Sequence, residues 1–290
     1  MRATYRPRTG IEATMPASAK AGWARIMAPL SGGRADADVL AAAAELARPF
    51  AAEVSGVYAP ADVADLMPWM GEGFMGGVQI TALESLKEAA NQGETAAHAA
   101  LDACGAANKT FLTLESPVWA SLAVESRLSD VVVFDNDAAR GKGPLAESFQ
   151  QLVANEQRPT VVARPGLKAD GVMAIAWDGG KEAARAARTA LPLLEKASKV
   201  IVLSAPAASA RDFDPERLKA FLGARGVKAE VELITESGDA AALLLGACKR
   251  LGVSLLVTGA FGHPRLQEFI FGGTTRSLLH AEAPSLYLSH

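Results

Sequence analysis

Two parts of this sequence read alike. PLSGG (29–33) has a counterpart in AWDGG (176–180), which sets Ser31 opposite Asp178. YAP (58–60) matches SAP (204–206), and RPTVVAR (158–164) matches APSLYLS (283–289). The offset is 147 between Ser31 and Asp178 but 124 between Asp135 and Gly259. The 23 residues of difference correspond to an excursion after residue 60, carried by the first part alone. The pattern is that of a tandem duplication, so the chain makes its folding unit twice.

Each unit alternates apolar runs with amphipathic segments. In the first, strands are expected at 25–29, 54–60, 111–115, 131–135 and 160–165. Helices are expected at 36–51, 78–106, 119–128 and 144–156, the first with Val39, Leu40, Ala43, Leu46 and Ala47 on one face. In the second, strands are expected at 172–178, 199–205, 228–234, 254–260 and 285–289. Helices are expected at 180–197, from Asp214-Pro215 to Gly226, at 239–251 and over TTRSLLHAEA. Asp214 with Pro215 is an N-cap followed by proline at N1, and Gly226 is a C-cap residue. Alternation of this kind predicts parallel sheets built of right-handed crossovers. The domains expected are 23–166 and 171–290, after a flexible arm at 1–22. The excursion at 61–77 is rich in methionine between residues 67 and 75, and methionine makes adaptable contact surfaces.

Composition excludes more than it identifies. A formal charge of −3 with no basic stretch argues against nucleic acid. No stretch approaches the ~18 apolar residues of a membrane span, and the start has no apolar signal segment. A cytoplasmic protein without a membrane role is expected. Cys104 and Cys248 have no metal-ligand spacing and read as free thiols.

The stretch richest in chemistry is SLLVTGAFGHPRLQEFIFGGTT (254–275). A buried strand ends at Gly259. Gly262 follows, then Gly272, Gly273 and Thr274 at a helix start. Glycine lets a backbone approach an anion without a Cβ in the way, and a helix N-terminus offers free N–H groups. Glycines after a strand are also ordinary turn residues. The spacing is neither that of the phosphate loop with its lysine nor that of the G-x-G-x-x-G fingerprint.

With these pieces, the chain from about residue 23 resembles a tandem universal stress protein. The resemblance is carried by the strand ending in Asp178-Gly179-Gly180, by GDAAALLLGACKRLGVSLLVTGAFG (238–262), by the Gly259-x2-Gly262-x9-Gly272 spacing and by a proline-led last strand. It implies an α/β fold: two tandem Rossmann-like five-stranded parallel sheets, of the adenine nucleotide alpha hydrolase type, packed as an intramolecular pseudo-dimer. A homodimer through other surfaces is left open. It also implies a stress-response binding or signalling module that holds ATP or another adenine nucleotide, with magnesium, in its second domain. Carried over, the pattern puts Asp178 at the nucleoside and Gly259, Gly262 and Gly272 at the phosphates. Ala176, Trp177, Ala205 and Thr258 become neighbours at the strand ends.

The departures matter as much. Gly273 stands where the pattern wants Ser or Thr, so a hydroxyl donor is lost unless Thr274 or Thr275 replaces it. The first half has Ser31 for the aspartate, and its DNDAARGKG loop (135–143) lacks both early glycines and brings Asp135 and Asp137 instead. That half is expected to bind no nucleotide. Asp178 is also a candidate helix cap, and His263 and Arg265 read equally as phosphate contacts or solvated surface. No nucleophile–base pair, carboxylate pair or metal cluster argues for catalysis. The alternatives are an interaction protein with both sites empty, acting through an unidentified protein partner, and a slow ATPase. The electron-transfer flavoprotein type shares the same α/β unit.

Overall fold

The apolar runs become strands and the amphipathic segments pack against them. The computed structural model describes residues 22–60, 76–114, 118–204, 214–260 and 273–290. The first half is β1 (Arg25–Leu30), α1 (Ala35–Ala47), β2 (Glu53–Tyr58), α2 (Gly76–Ala103), β3 (Asn108–Thr113), α3 (Val118–Ser126), β4 (Val131–Phe134), α4 (Asn136–Ala139), α5 (Ala146–Ala154) and β5 (Thr160–Val162). The second is β6 (Val172–Ala176), α6 (Lys181–Thr189), α7 (Leu191–Leu194), β7 (Lys199–Ser204), α8 (Pro215–Gly223), β8 (Ala229–Leu233), α9 (Ala240–Leu251), β9 (Leu255–Gly259), α10 (Gly273–His280) and β10 (Ser285–Ser289).

Two local details differ from the sequence reading. The helix expected over 180–197 is interrupted at Ala190, because Pro192 cannot supply the backbone donor that a continuous helix requires. A short helix, α4, forms directly after β4 because Asp135 caps it, its Oδ1 accepting from the Ala138 N–H at 2.8 Å.

Instead of two separate sheets, the described strands form one ten-stranded sheet in the order β3-β2-β1-β4-β5-β10-β9-β6-β7-β8. Every neighbouring pair is parallel except β5 with β10, which run antiparallel with Val162 opposite Leu286 and Thr160 opposite Leu288. These are the last strands of the two halves, and both are fully buried. An unpaired edge there would leave buried backbone groups without partners, and the seam supplies them. Reading outward from it, the order is β5-β4-β1-β2-β3 on one side and β10-β9-β6-β7-β8 on the other.

The sheet is covered on both faces. Buried residues of α1, α2, α6, α7 and α8 cluster on one face, and those of α3, α5, α9 and α10 on the other. Two arginines of the first half reinforce the seam. Arg164, buried, donates to the carbonyls of Leu278 (2.8 Å), Leu279 (3.0 Å) and Pro284 (2.7 Å) and to Asn136 Oδ1 (3.0 Å). Arg140 reaches the carbonyls of His280 (2.8 Å) and Ala281 (3.1 Å) and pairs with Glu282. Together they satisfy the free carbonyls at the C-terminal end of α10, where positive charge is favoured. Burial, aided by the nearby Arg140 charge, pushes the Arg164 guanidinium down to about 10, so it remains charged at neutral pH. No helix among the described residues is long and apolar enough to cross a membrane.

Candidate functional site

In the second half, β6 lies between β9 and β7, with Ile175 opposite Val257. The chain leaves β6 into α6 on one face of the sheet, while α10, the helix that follows β9, covers the other. A crevice at the carboxyl ends of such strands is where open α/β sheets place ligands. Of the residues singled out in the sequence, Ala176, Trp177, Asp178, Thr258 and Gly259 lie at this end. Ala176 closes β6, and the Trp177 N–H bonds to the Leu203 carbonyl at 2.8 Å.

Asp178 is exposed, and its Oδ1 accepts from the Gly180 N–H at 2.8 Å. Gly180 is the N-cap of α6, so one carboxylate oxygen braces the turn before the helix. The other oxygen has no partner among the described residues. The capping and ligand readings therefore use different oxygens of one side chain. Gly179 turns the chain at φ +73°, and Gly32 holds the equivalent place in the first half at φ +77°. A side chain at either would be strained.

Gly259 ends β9 for a reason independent of any anion. A Cβ there would lie 2.6 Å from the Ala183 backbone nitrogen and 2.7 Å from Glu182. The first turn of α6 crosses the end of β9 with no room for a side chain. Thr258 is buried, and its hydroxyl donates to the Gly259 carbonyl at 3.1 Å, so it braces the strand end instead of reaching outward. Gly273 begins α10 in open space, exposed, and a Cβ added there would meet nothing within 4 Å among the described residues. Thr274 is exposed and Thr275 half-buried, and neither hydroxyl is engaged among the described residues. Ala205, Gly262, Gly272, His263 and Arg265 lie outside the described residues, as do the arm before Gly22 and residues 61–75.

Beside this crevice is a cavity of about 280 Å³ between the β6–α6 turn, α6 and α8. Its walls include Trp177, Leu218 and Phe221, and its rim Arg217. The Trp177 indole Nε1–H is buried without an acceptor among the described residues. A buried donor in that state costs about 1–3 kcal/mol unless something accepts from it.

The first half is built differently at the same place. Its β1–α1 turn is closed by Asp36, whose carboxylate accepts from the Ser31 N–H (3.0 Å) and the Gly32 N–H (2.8 Å). Asp36 is buried in the first turn of α1. Burial raises its pKa above the ordinary value, the two backbone N–H bonds oppose this, and the neighbouring Asp135 charge adds to the rise. Helix α2 then lies across the turn. A Cβ on Gly32 would fall 2.4 Å from Gly93 Cα, so two backbones touch there. The Tyr58 hydroxyl donates to the Ala90 carbonyl at 2.9 Å and the Thr113 hydroxyl to Glu94 at 2.6 Å, which fixes α2 over the strand ends. Sequence reasoning missed Asp36. The signal was an acid five residues after Ser31, in the first turn of a helix that follows two glycines. Among the described residues, no group of acidic, histidine and cysteine side chains could hold a metal ion.

The strand order and this pair of strand-end turns define an α/β protein of the Rossmann-like kind. Residues 172–286 match the model of the Universal stress protein family, a span covering most of the second half. A universal stress protein from Archaeoglobus fulgidus DSM 4304 superposes over nearly the whole chain. The TM-score is 0.63 at 14% identity, covering 91% of this chain and 95% of that one. A functionally unknown protein from Pseudomonas aeruginosa PAO1 superposes with a TM-score of 0.51 at 14% identity, covering 92% of each chain. At such identities the likeness is one of fold. No curated protein matches the sequence.

Proposed function

We propose that the whole chain is a tandem universal stress protein: a cytoplasmic stress-response binding module whose halves pack as a pseudo-dimer. Its second half binds ATP or another adenine nucleotide. The observation that carries this reading is the contrast between the two strand-end turns. In the second half the turn presents a carboxylate oxygen of Asp178 that is free among the described residues, beside a cavity with a Trp177 donor unsatisfied among them. In the first, the turn amides are taken by Asp36 and covered by α2.

The residues present suit a nucleoside better than they suit a metal. Asp178 can accept from ribose or base, Trp177 can donate or stack, and Thr274 and Thr275 can donate to a phosphate at the start of α10. Magnesium would have to arrive with the phosphates, since the described residues supply no ligand cluster of their own. The first half then serves as a fixed partner. Its Arg164 and Arg140 hold the far end of the same helix, α10, whose N-terminus faces the proposed phosphates.

The test is titration of the full chain with Mg-ATP by calorimetry, followed by chromatography of the nucleotide. Binding that Asp178→Ala abolishes, with ATP recovered intact, is expected. Undiminished binding by Asp178→Ala would overturn the assignment, and steady conversion to ADP would make the protein an ATPase. One observation favours the alternative of an interaction protein with no nucleotide. Gly259 is explained by helix packing alone, and Gly273 offers no hydroxyl. Absence of binding at millimolar ATP would decide for it.

A further inference from the structure

A second, larger pocket opens at the seam itself, on the face of the sheet that carries α6. It holds about 540 Å³ and joins the starts of β1, β4 and β5 to the end of β10 and to α6. Of its lining, Arg188 also borders the cavity beside Trp177, and the other residues belong to the seam pocket alone. Four arginines line it: Arg127 and Arg158 from the first half, and Arg185 and Arg188 from the second. Arg127 is paired with Glu156, and Arg185 is bonded to Gln157 and the His290 backbone oxygen. Arg188 is exposed and has no acceptor among the described residues. Asp130 is the acid in the lining, and its Oδ2 is committed to the backbone N–H groups of Ala24 (2.6 Å) and Arg25 (2.9 Å).

The pocket also collects unsatisfied buried atoms. The hydroxyls of Ser129 (4% exposed) and Ser289 (1% exposed) and the Nε–H of Arg158 all border it, buried and without hydrogen-bond partners among the described residues. Folded proteins rarely leave such groups unpaired unless water, an ion or a ligand completes them. Here the two hydroxyls can donate, and the lining carries four arginines against one acid, Asp130. An apolar ligand would leave all of them unsatisfied, and a cation would be repelled. A planar carboxylate fits a single guanidinium fork, whereas a phosphate accepts from several directions at once. The segment before Gly22 is a poor occupant, since residues 1–21 hold Arg2, Arg6, Arg8 and Lys20 against one acid, Glu12.

We propose that this seam pocket is a binding site for a small phosphate-bearing anion, clamped between the two halves by Arg158 and Arg188 with Ser129 and Ser289. Because its walls come from both halves, occupancy would lock the seam. The probe is inorganic pyrophosphate, titrated into the full chain at low salt by calorimetry, with thermal melting in parallel. The wild type should bind and melt higher. Arg188→Gln, which breaks no contact among the described residues, should weaken binding by at least ~10-fold, the usual consequence of losing a charge-assisted bond. Ser289→Ala, at a residue that lines this pocket and not the cavity beside Trp177, should weaken it less. Absence of binding, or binding untouched by Ser289→Ala, would overturn the proposal.

Discussion

The two halves share a strand order and a left-handed glycine after the first strand, yet they treat that turn in opposite ways. The first half fills it from within. Asp36 supplies an internal anion to the amides of Ser31 and Gly32, and a 28-residue helix closes over them. The second half has Ala183 where Asp36 would fall in the repeat, and the helix after β7 is nine residues long. Among the described residues, one carboxylate and one helix length thus separate a self-satisfied turn from an open one. Both halves keep the same strand order because the core demands it, while their strand-end loops, which carry little of the core, differ.

The contrast can be broken most severely at the seam. Arg164→Ala should destabilise the chain by about 3–5 kcal/mol, because it strands three carbonyls and Asn136 in a buried interface. Denaturant unfolding would measure this, and a second transition would show that the halves have uncoupled. Gly259→Ala should cost about 1–3 kcal/mol, because its Cβ collides with the α6 backbone, whereas Gly273→Ala should change stability by less than ~0.5 kcal/mol. Equal losses at the two glycines would contradict the packing account of Gly259.

Those two glycines also show where sequence reasoning succeeds and where it stops. Both stood in the same glycine-bearing stretch, and nothing in the sequence showed which of them a packed helix would crowd. Gly259 proves to be required by a helix crossing that is remote in sequence, while Gly273 has room for a side chain among the described residues. The strands and the capped helix after Asp214 were legible because periodicity and capping are local. The antiparallel joining of β5 to β10 and the roles of Arg164 and Arg140 were not, since each depends on contacts more than 100 residues apart. The break between α6 and α7 has its sequence signal in Pro192.

Sharpening the contrast is gentler. Gly273→Ser restores the hydroxyl that the family pattern carries, at a position with space to accept it. If phosphates bind at α10, it should raise nucleotide affinity about ten-fold or more, read by the same calorimetry. The smallest effect lies with Asp36. Its folded pKa is raised, so the folded state holds the proton more tightly than the unfolded state does. Between the unfolded value of 3.8 and the raised folded value, stability should therefore fall as pH rises, and then level off. Asp36→Asn should lack that component, and comparison of thermal melts between about pH 3.5 and 7 would reveal the difference.

The central claim is that the second half, and not the first, is the ligand-bearing one. Amide hydrogen exchange of the full chain with and without Mg-ATP tests it most directly. The account predicts slowed exchange at 176–183, at 257–260 and at the start of α10, with 30–36 and 134–138 unchanged. Protection appearing at the Ser31 turn, or equally in both halves, would contradict it.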